Sequence, residues 1–151
     1  MPPDPERKLS RHFKLGDLLV DSTFPELARQ LDPGVEILGN LGRLTALMDQ
    51  ISDQFSTKLE VLSGYRDERL NDACREAGLP ASVNSLHLSG CAADIRPTEL
   101  EVDIEEIFDW VEKQAENLSV HEAVFYPKKE FIHVAVADPE KPTLRRILMR
   151  T

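Results

Sequence analysis

The longest regular pattern in the chain is an apolar stripe. Val35, Leu38, Leu41, Leu44 (or Thr45), Met48, Ile51 and Phe55 recur at spacings of three and four. That period puts one buried face on an amphipathic helix, although Gly39 and Gly42 weaken its first turns. Upstream, Phe13, Leu15, Leu18 and Leu19 predict a short helix, and residues 24–31 a second with Pro25 in its first turn. Asp32-Pro33-Gly34 separates these from the long helix. Residues 58–63 read as a strand, and Asp67 can cap a helix over 68–77 that Gly78 and Pro80 end. After a loop over 79–90, residues 92–95 read as a strand stopped by Pro97. Asp103 can cap a helix reaching about residue 117, with Ile104, Ile107, Phe108 and Val111 on its apolar face. Residues 123–126 and 131–137 read as two strands joined by the hairpin Pro127-Lys128-Lys129-Glu130, and residues 144–149 as one more. Helices early and strands late predict an α+β fold, with helices packed on a central antiparallel sheet.

Composition narrows the setting. The 151 residues are 41% apolar and 30% charged, as in one soluble domain with a single core. Residues 1–11, polar and proline-containing, read as a flexible leader, and 12–151 as the domain. A net charge of −9 argues against a nucleic acid partner. No apolar run reaches the ~20 residues of a membrane span, and the first residues lack the apolar core of a signal peptide. The expected location is cytoplasmic as encoded, or outside the cell by another route. Cys74 and Cys91 form no C-x-x-C pair and read as reduced thiols.

The chemistry gathers in Ser85-Leu86-His87-Leu88-Ser89-Gly90-Cys91-Ala92-Ala93-Asp94. Here a histidine and an aspartate flank a glycine that lets the backbone turn and the two side chains converge. An unpaired carboxylate in the apolar run around Asp94 would be expensive to bury, and a cation removes that penalty. Taken alone, the pair also fits a strand-end aspartate bonded to backbone amides beside an unrelated surface histidine. His133 adds a second imidazole, on a strand face shared with Phe131 and Ala135, where a small residue leaves room. Glu130 precedes it by three positions, as a spare carboxylate or as a solvated hairpin charge beside Lys128 and Lys129. Two imidazoles, one carboxylate ligand and one spare carboxylate suit a hydrolytic zinc site. His12 and His121 read as surface histidines, and Tyr126 and Trp110 as packing residues.

Three segments in order carry a family resemblance: Ser63-Gly64-Tyr65-Arg66, the S-x-H-x-x-G-x-A-x-D run of Ser85 to Asp94, and the E-x-x-H of Glu130 to His133. The chain resembles the zinc D-alanyl-D-alanine peptidase family, which includes D,D-carboxypeptidases, D,D-dipeptidases and phage L-alanyl-D-glutamate endopeptidases. The family shares its fold with the hedgehog signalling domain. The resemblance implies a metallopeptidase, a hydrolase holding one zinc ion on His87, Asp94 and His133 with a fourth position for water. Glu130 would be the general base and Arg66 the donor to the scissile carbonyl oxygen. Ser85 would touch substrate, and Tyr65 could edge the cleft. The implied partner is a bacterial peptidoglycan stem peptide or precursor, with no nucleic acid and no membrane. Leu86, Cys91 and the loop over 78–84 depart from the family pattern and leave specificity open. The alternatives are a non-catalytic zinc-containing peptide- or wall-binding module of the same fold, and a metal-free structural domain.

Overall fold

The apolar stripe folds as one helix. In the computed structural model, which describes residues 2–142 and 146–151, the third helix spans Val35–Phe55 without a break. Leu41, Leu44, Met48 and Ile51 are fully buried, while Val35, at the helix's first position, stays exposed. Gly39 and Gly42 lie within the unbroken helix, and a Cβ at either would meet nothing within 4 Å, so packing does not require glycine there. Two short helices precede it, α1 (Leu15–Leu18) and α2 (Pro25–Ala28), so the long helix is α3. Then follow β1 (Leu59–Ser63), α4 (Glu68–Glu76), a 3-10 helix (Leu86–Ser89), β2 (Ala92–Pro97), α5 (Ile104–Lys113), β3 (Glu122–Tyr126), β4 (Phe131–Ala135) and β5 (Ile147–Arg150).

The predicted caps are present. Asp67 Oδ1 accepts from the Leu70 amide at 2.9 Å, and Asp103 Oδ1 from the Glu105 amide at 2.9 Å. Each satisfies an orphan donor of a first helical turn. The Arg7 and Pro5 carbonyls accept from the Leu15 and Gly16 amides, at 2.8 and 2.9 Å. The Ser10 hydroxyl and the Arg11 and His12 amides all donate to the Asp49 carboxylate, at 3.0, 3.0 and 3.1 Å.

The sheet has five strands in the order β1-β2-β4-β3-β5. The first four pair antiparallel, but β5 runs parallel to β3, so the expected antiparallel sheet is mixed at one edge. β4 ends beside Glu122, where β3 begins, and Ile147 pairs with Glu122 from the other side, so β5 starts at the same end as β3 and runs in its direction. Leu144 and Arg145 of the expected final strand lie outside the described residues.

Strand alternation separates two faces. Ala93, Ile95, Ile132, Val134, Ala123 and Phe125 are buried on the face covered by α5, where Phe108 stacks on Phe125 with centroids 5.7 Å apart. Asp94, His133 and Glu122 occupy the other face. Asp94 pairs with His133 across β2 and β4, His133 with Val124 across β4 and β3, and Glu122 with Ala135. Among the described residues no helix is long and apolar enough to cross a membrane.

Candidate metal centre

His87 is placed by a tight local device. The Ser85 hydroxyl oxygen accepts from the His87 amide at 3.2 Å and opens the 3-10 helix. Gly90 closes it in the left-handed region, with φ 75°. A Cβ at Gly90 would lie 2.9 Å from Ile37 Cγ2 and 3.1 Å from the Ile37 carbonyl oxygen, so α3 closes on this turn as only glycine allows. His87 is 2% exposed. Its Nδ1 is 2.7 Å from the Gly64 carbonyl oxygen. A carbonyl only accepts, so Nδ1 carries the proton and the Nε2 lone pair faces the site.

That lone pair points at Asp94, whose Oδ1 is 3.3 Å from His87 Nε2 and 3.0 Å from His133 Nδ1. The other nitrogen of His133, Nε2, is 2.8 Å from Glu122 Oε1. Each imidazole therefore turns one nitrogen to the Asp94 carboxylate and ties the other to an oxygen behind it. The one ligating atom that each of His87, Asp94 and His133 supplies lies within 4.8 Å of the other two.

The electrostatics follow from this packing. Burial lowers the His87 pKa. Burial acts the same way on His133, but hydrogen bonds and charge from Asp94 and Glu122 outweigh it and raise its pKa to about 9. The Asp94 carboxyl is raised by burial yet held well below its usual range by His87 and His133. Glu122 is likewise raised by burial and lowered on balance, chiefly by its hydrogen bond with His133. Without a metal, then, His133 is a cation held between two carboxylates.

Arg66 enters from the end of β1. Its Nη2 lies 3.7 Å from Asp94 Oδ2, Nε donates to the Ser63 hydroxyl at 3.0 Å, and Nη1 donates to Asn71 Oδ1 at 3.3 Å. Asp21 Oδ2 accepts from the Ser63 hydroxyl at 3.1 Å and lies 4.0 Å from Arg66 Nε. The guanidinium is thus fixed and its charge balanced, which a buried cation requires.

Two cavities flank the cluster. One, of about 250 Å³, is lined by Asp21, Arg66, Asp94, Lys129 and Phe131 among others. The other, of about 340 Å³, is lined by Ser85, His87, Glu122, Tyr126 and His133 among others. A larger groove of about 830 Å³ runs between α1, the end of α3 and β1 and contains none of these groups. Convergent chemistry rather than size marks the functional site.

The expected site residues separate accordingly. His87, Asp94, His133 and Arg66 come together, with Ser85 at the cavity wall. Tyr65 is buried in the core and lines neither flanking cavity. Glu130 is exposed at the hairpin with φ 56° and lines a neighbouring groove with Glu60 and Arg96. Its neighbours Lys129 and Phe131 line the cavity beside Asp94. Cys91 is a fully buried thiol, and its burial raises its pKa. His121, expected on the surface, is partly buried, and its Nε2 lacks a hydrogen-bond partner among the described residues.

Glu122 and Asp21 were not among the expected site residues. Hairpin arithmetic could have found Glu122. Pairing Tyr126 with Phe131 sets Glu122 against Ala135, diagonal to His133. Asp21 had no comparable signal, because it arrives from a loop distant in sequence.

Two imidazole nitrogens and one carboxylate oxygen, each imidazole oriented from behind, fit the donor set of a mononuclear zinc centre with a position left for a reactant. The fold and site thus define an α+β domain with a candidate mononuclear metal centre. The chain belongs to the peptidase M15 family, whose description, Peptidase M15, matches residues 12–135. That span contains every site residue named above, and the family is one of zinc-dependent peptidases. A search of curated proteins finds no match.

Proposed function

We propose that this protein is a zinc metallopeptidase that hydrolyses an amide bond in short, D-amino-acid-containing peptides of bacterial peptidoglycan. The D-Ala-D-Ala carboxypeptidase and L-Ala-D-Glu endopeptidase types are the two forms this reading takes. The observation that carries it is the convergence of His87 Nε2, Asp94 Oδ1 and His133 Nδ1 beside the buried Arg66 guanidinium.

His87, Asp94 and His133 would hold the zinc, which when bound supplies Lewis acidity to the scissile carbonyl and acidifies water. Arg66 supplies a fixed cationic donor toward an oxygen that gains charge, and its partners Ser63 and Asn71 keep it from swinging away. The two cavities give room for a peptide on either side of the cluster. Glu130, at the E-x-x-H position, would take a proton from water and pass it to the leaving amine. Ser85 would touch the substrate backbone. The partner would be a stem peptide or its precursor, met in the cytoplasm or reached at the wall by a non-signal route.

One observation favours a second reading, a non-catalytic zinc-containing binding module of the same fold. Glu130 lines the groove next to the cluster rather than the cluster's own cavities. The deciding experiment incubates zinc-loaded parent and Glu130→Ala protein with peptidoglycan stem peptides. Cleavage by the parent, with zinc retained and cleavage lost in the variant, supports the peptidase. Tight peptide binding without cleavage by either protein supports the module.

A further inference from the structure

We propose that Glu122 is a positioning residue for the metal centre: it fixes the tautomer of His133 so that Nδ1, and not Nε2, is presented to the metal. The inference rests on the zinc-site reading above.

The geometry is specific. Glu122 Oε1 is 2.8 Å from His133 Nε2, while His133 Nδ1 is 3.0 Å from Asp94 Oδ1. A neutral imidazole carries one proton, and a carboxylate can only accept it. When Nδ1 is given to the metal, the one proton left on the ring sits on Nε2, where the Glu122 carboxylate accepts it. This matches what the Gly64 carbonyl does for His87 from the other side, 2.7 Å from Nδ1. The two imidazoles use opposite nitrogens, and each needs its own acceptor.

The sheet brings Glu122 there without special backbone. It pairs with Ala135, whose methyl group leaves the space over β4 open. The Glu122 side chain leans diagonally across that space to reach His133, two positions along β4. A larger residue at 135 would fill the path. Glu122 is also only partly buried, at the wall of the 340 Å³ cavity, so its substitution does not hollow out the core.

The test compares parent, Glu122→Gln and Glu122→Ala proteins. Zinc affinity is measured by competition with a chromophoric chelator, and the tautomer of His133 by two-bond ¹H–¹⁵N correlation on histidine-labelled, zinc-loaded protein. The parent should show His133 protonated on Nε2. Glu122→Ala should bind zinc roughly 10–100-fold more weakly, and Glu122→Gln, which keeps an acceptor oxygen without the charge, should fall between. Thermal unfolding of the metal-free proteins establishes that both variants are folded. Unchanged zinc affinity in Glu122→Ala overturns the proposal. So does a variant that keeps its zinc affinity but loses turnover, because Glu122 would then act on the reactants. A parent that binds zinc but cleaves no peptide overturns the peptidase reading and leaves the affinity comparison intact. A parent that binds no zinc overturns both.

Discussion

Asp94 and His133 face each other across the β2–β4 ladder, with Oδ1 of one 3.0 Å from Nδ1 of the other. A directly opposed pair on central strands is fixed by backbone hydrogen bonds on both sides, so neither residue can drift without breaking the ladder. This rigidity makes the pair the fixed part of the centre, to which the His87 turn is added.

Removing the carboxylate should therefore be costly even without a metal. Asp94→Ala leaves Arg66 Nη2 and two imidazoles without their shared anion. The metal-free variant should lose about 3–5 kcal/mol, the range for breaking a buried ion pair, and should bind no zinc. Urea unfolding with chelator present, together with metal analysis, measures both. Parent-like stability would mean that solvent already screens the cluster.

The metal-free protein should be pH-sensitive in a set direction. The folded pKa of His133, about 9, lies above its ordinary 6.5. The stabilisation this represents is complete below pH 6.5 and is lost as pH rises through about 9. Its ceiling is about 3 kcal/mol, shared with Asp94 and Glu122. At the acid end, the lowered pKa values of Asp94 and Glu122 mean that stability falls again as pH drops through them. Thermal unfolding in chelator from pH 4 to 10 should show a loss on the alkaline side that zinc diminishes, since the metal takes the proton's place. A melting temperature rising steadily between pH 6.5 and 9 would contradict the assignment.

Gly90→Ala tests how the His87 turn is held. The new methyl would sit at φ 75° and 2.9 Å from Ile37 Cγ2. The strain and the clash against α3 should destabilise the fold by about 1–3 kcal/mol. Zinc affinity should fall as well, because His87 lies within the displaced turn. Calorimetry and chelator competition should move together, and a change in stability alone would show that the turn absorbs the strain away from His87.

Arg66→Lys separates charge from geometry. Lysine keeps a cation near Asp21 and Asp94, so the fold and zinc content should survive. It cannot hold Ser63 and Asn71 while aiming a second nitrogen at the site, as Arg66 does. Under the peptidase reading, kcat should fall by about 10²–10³-fold with zinc content unchanged. Steady-state kinetics on a stem peptide would show this, and a parent-like kcat would remove Arg66 from the reaction.

Much of the molecule was written locally in the chain. The three-four spacing from Val35 to Phe55 determined α3, Asp67 and Asp103 determined two helix starts, and Gly90 determined the turn beside His87. The ordered motifs pointed to the family and to the cluster of His87, Asp94 and His133, because residues at fixed short spacings keep their relation wherever the segment lands. Tertiary structure decided what depends on register and on chain return. It placed β5 parallel to β3, with Ile147 pairing to Glu122 at the start of that strand. It brought Asp21 from a loop beneath Arg66, and it set Glu122 behind His133 through the pairing of β3 with β4. It also left Glu130 on an exposed turn, next to the cluster in sequence but lining another groove. Periodicity reports which face of an element is buried. Which side chain from a second element meets it is fixed only when hydrogen-bonded strands choose one alignment among several of similar local energy.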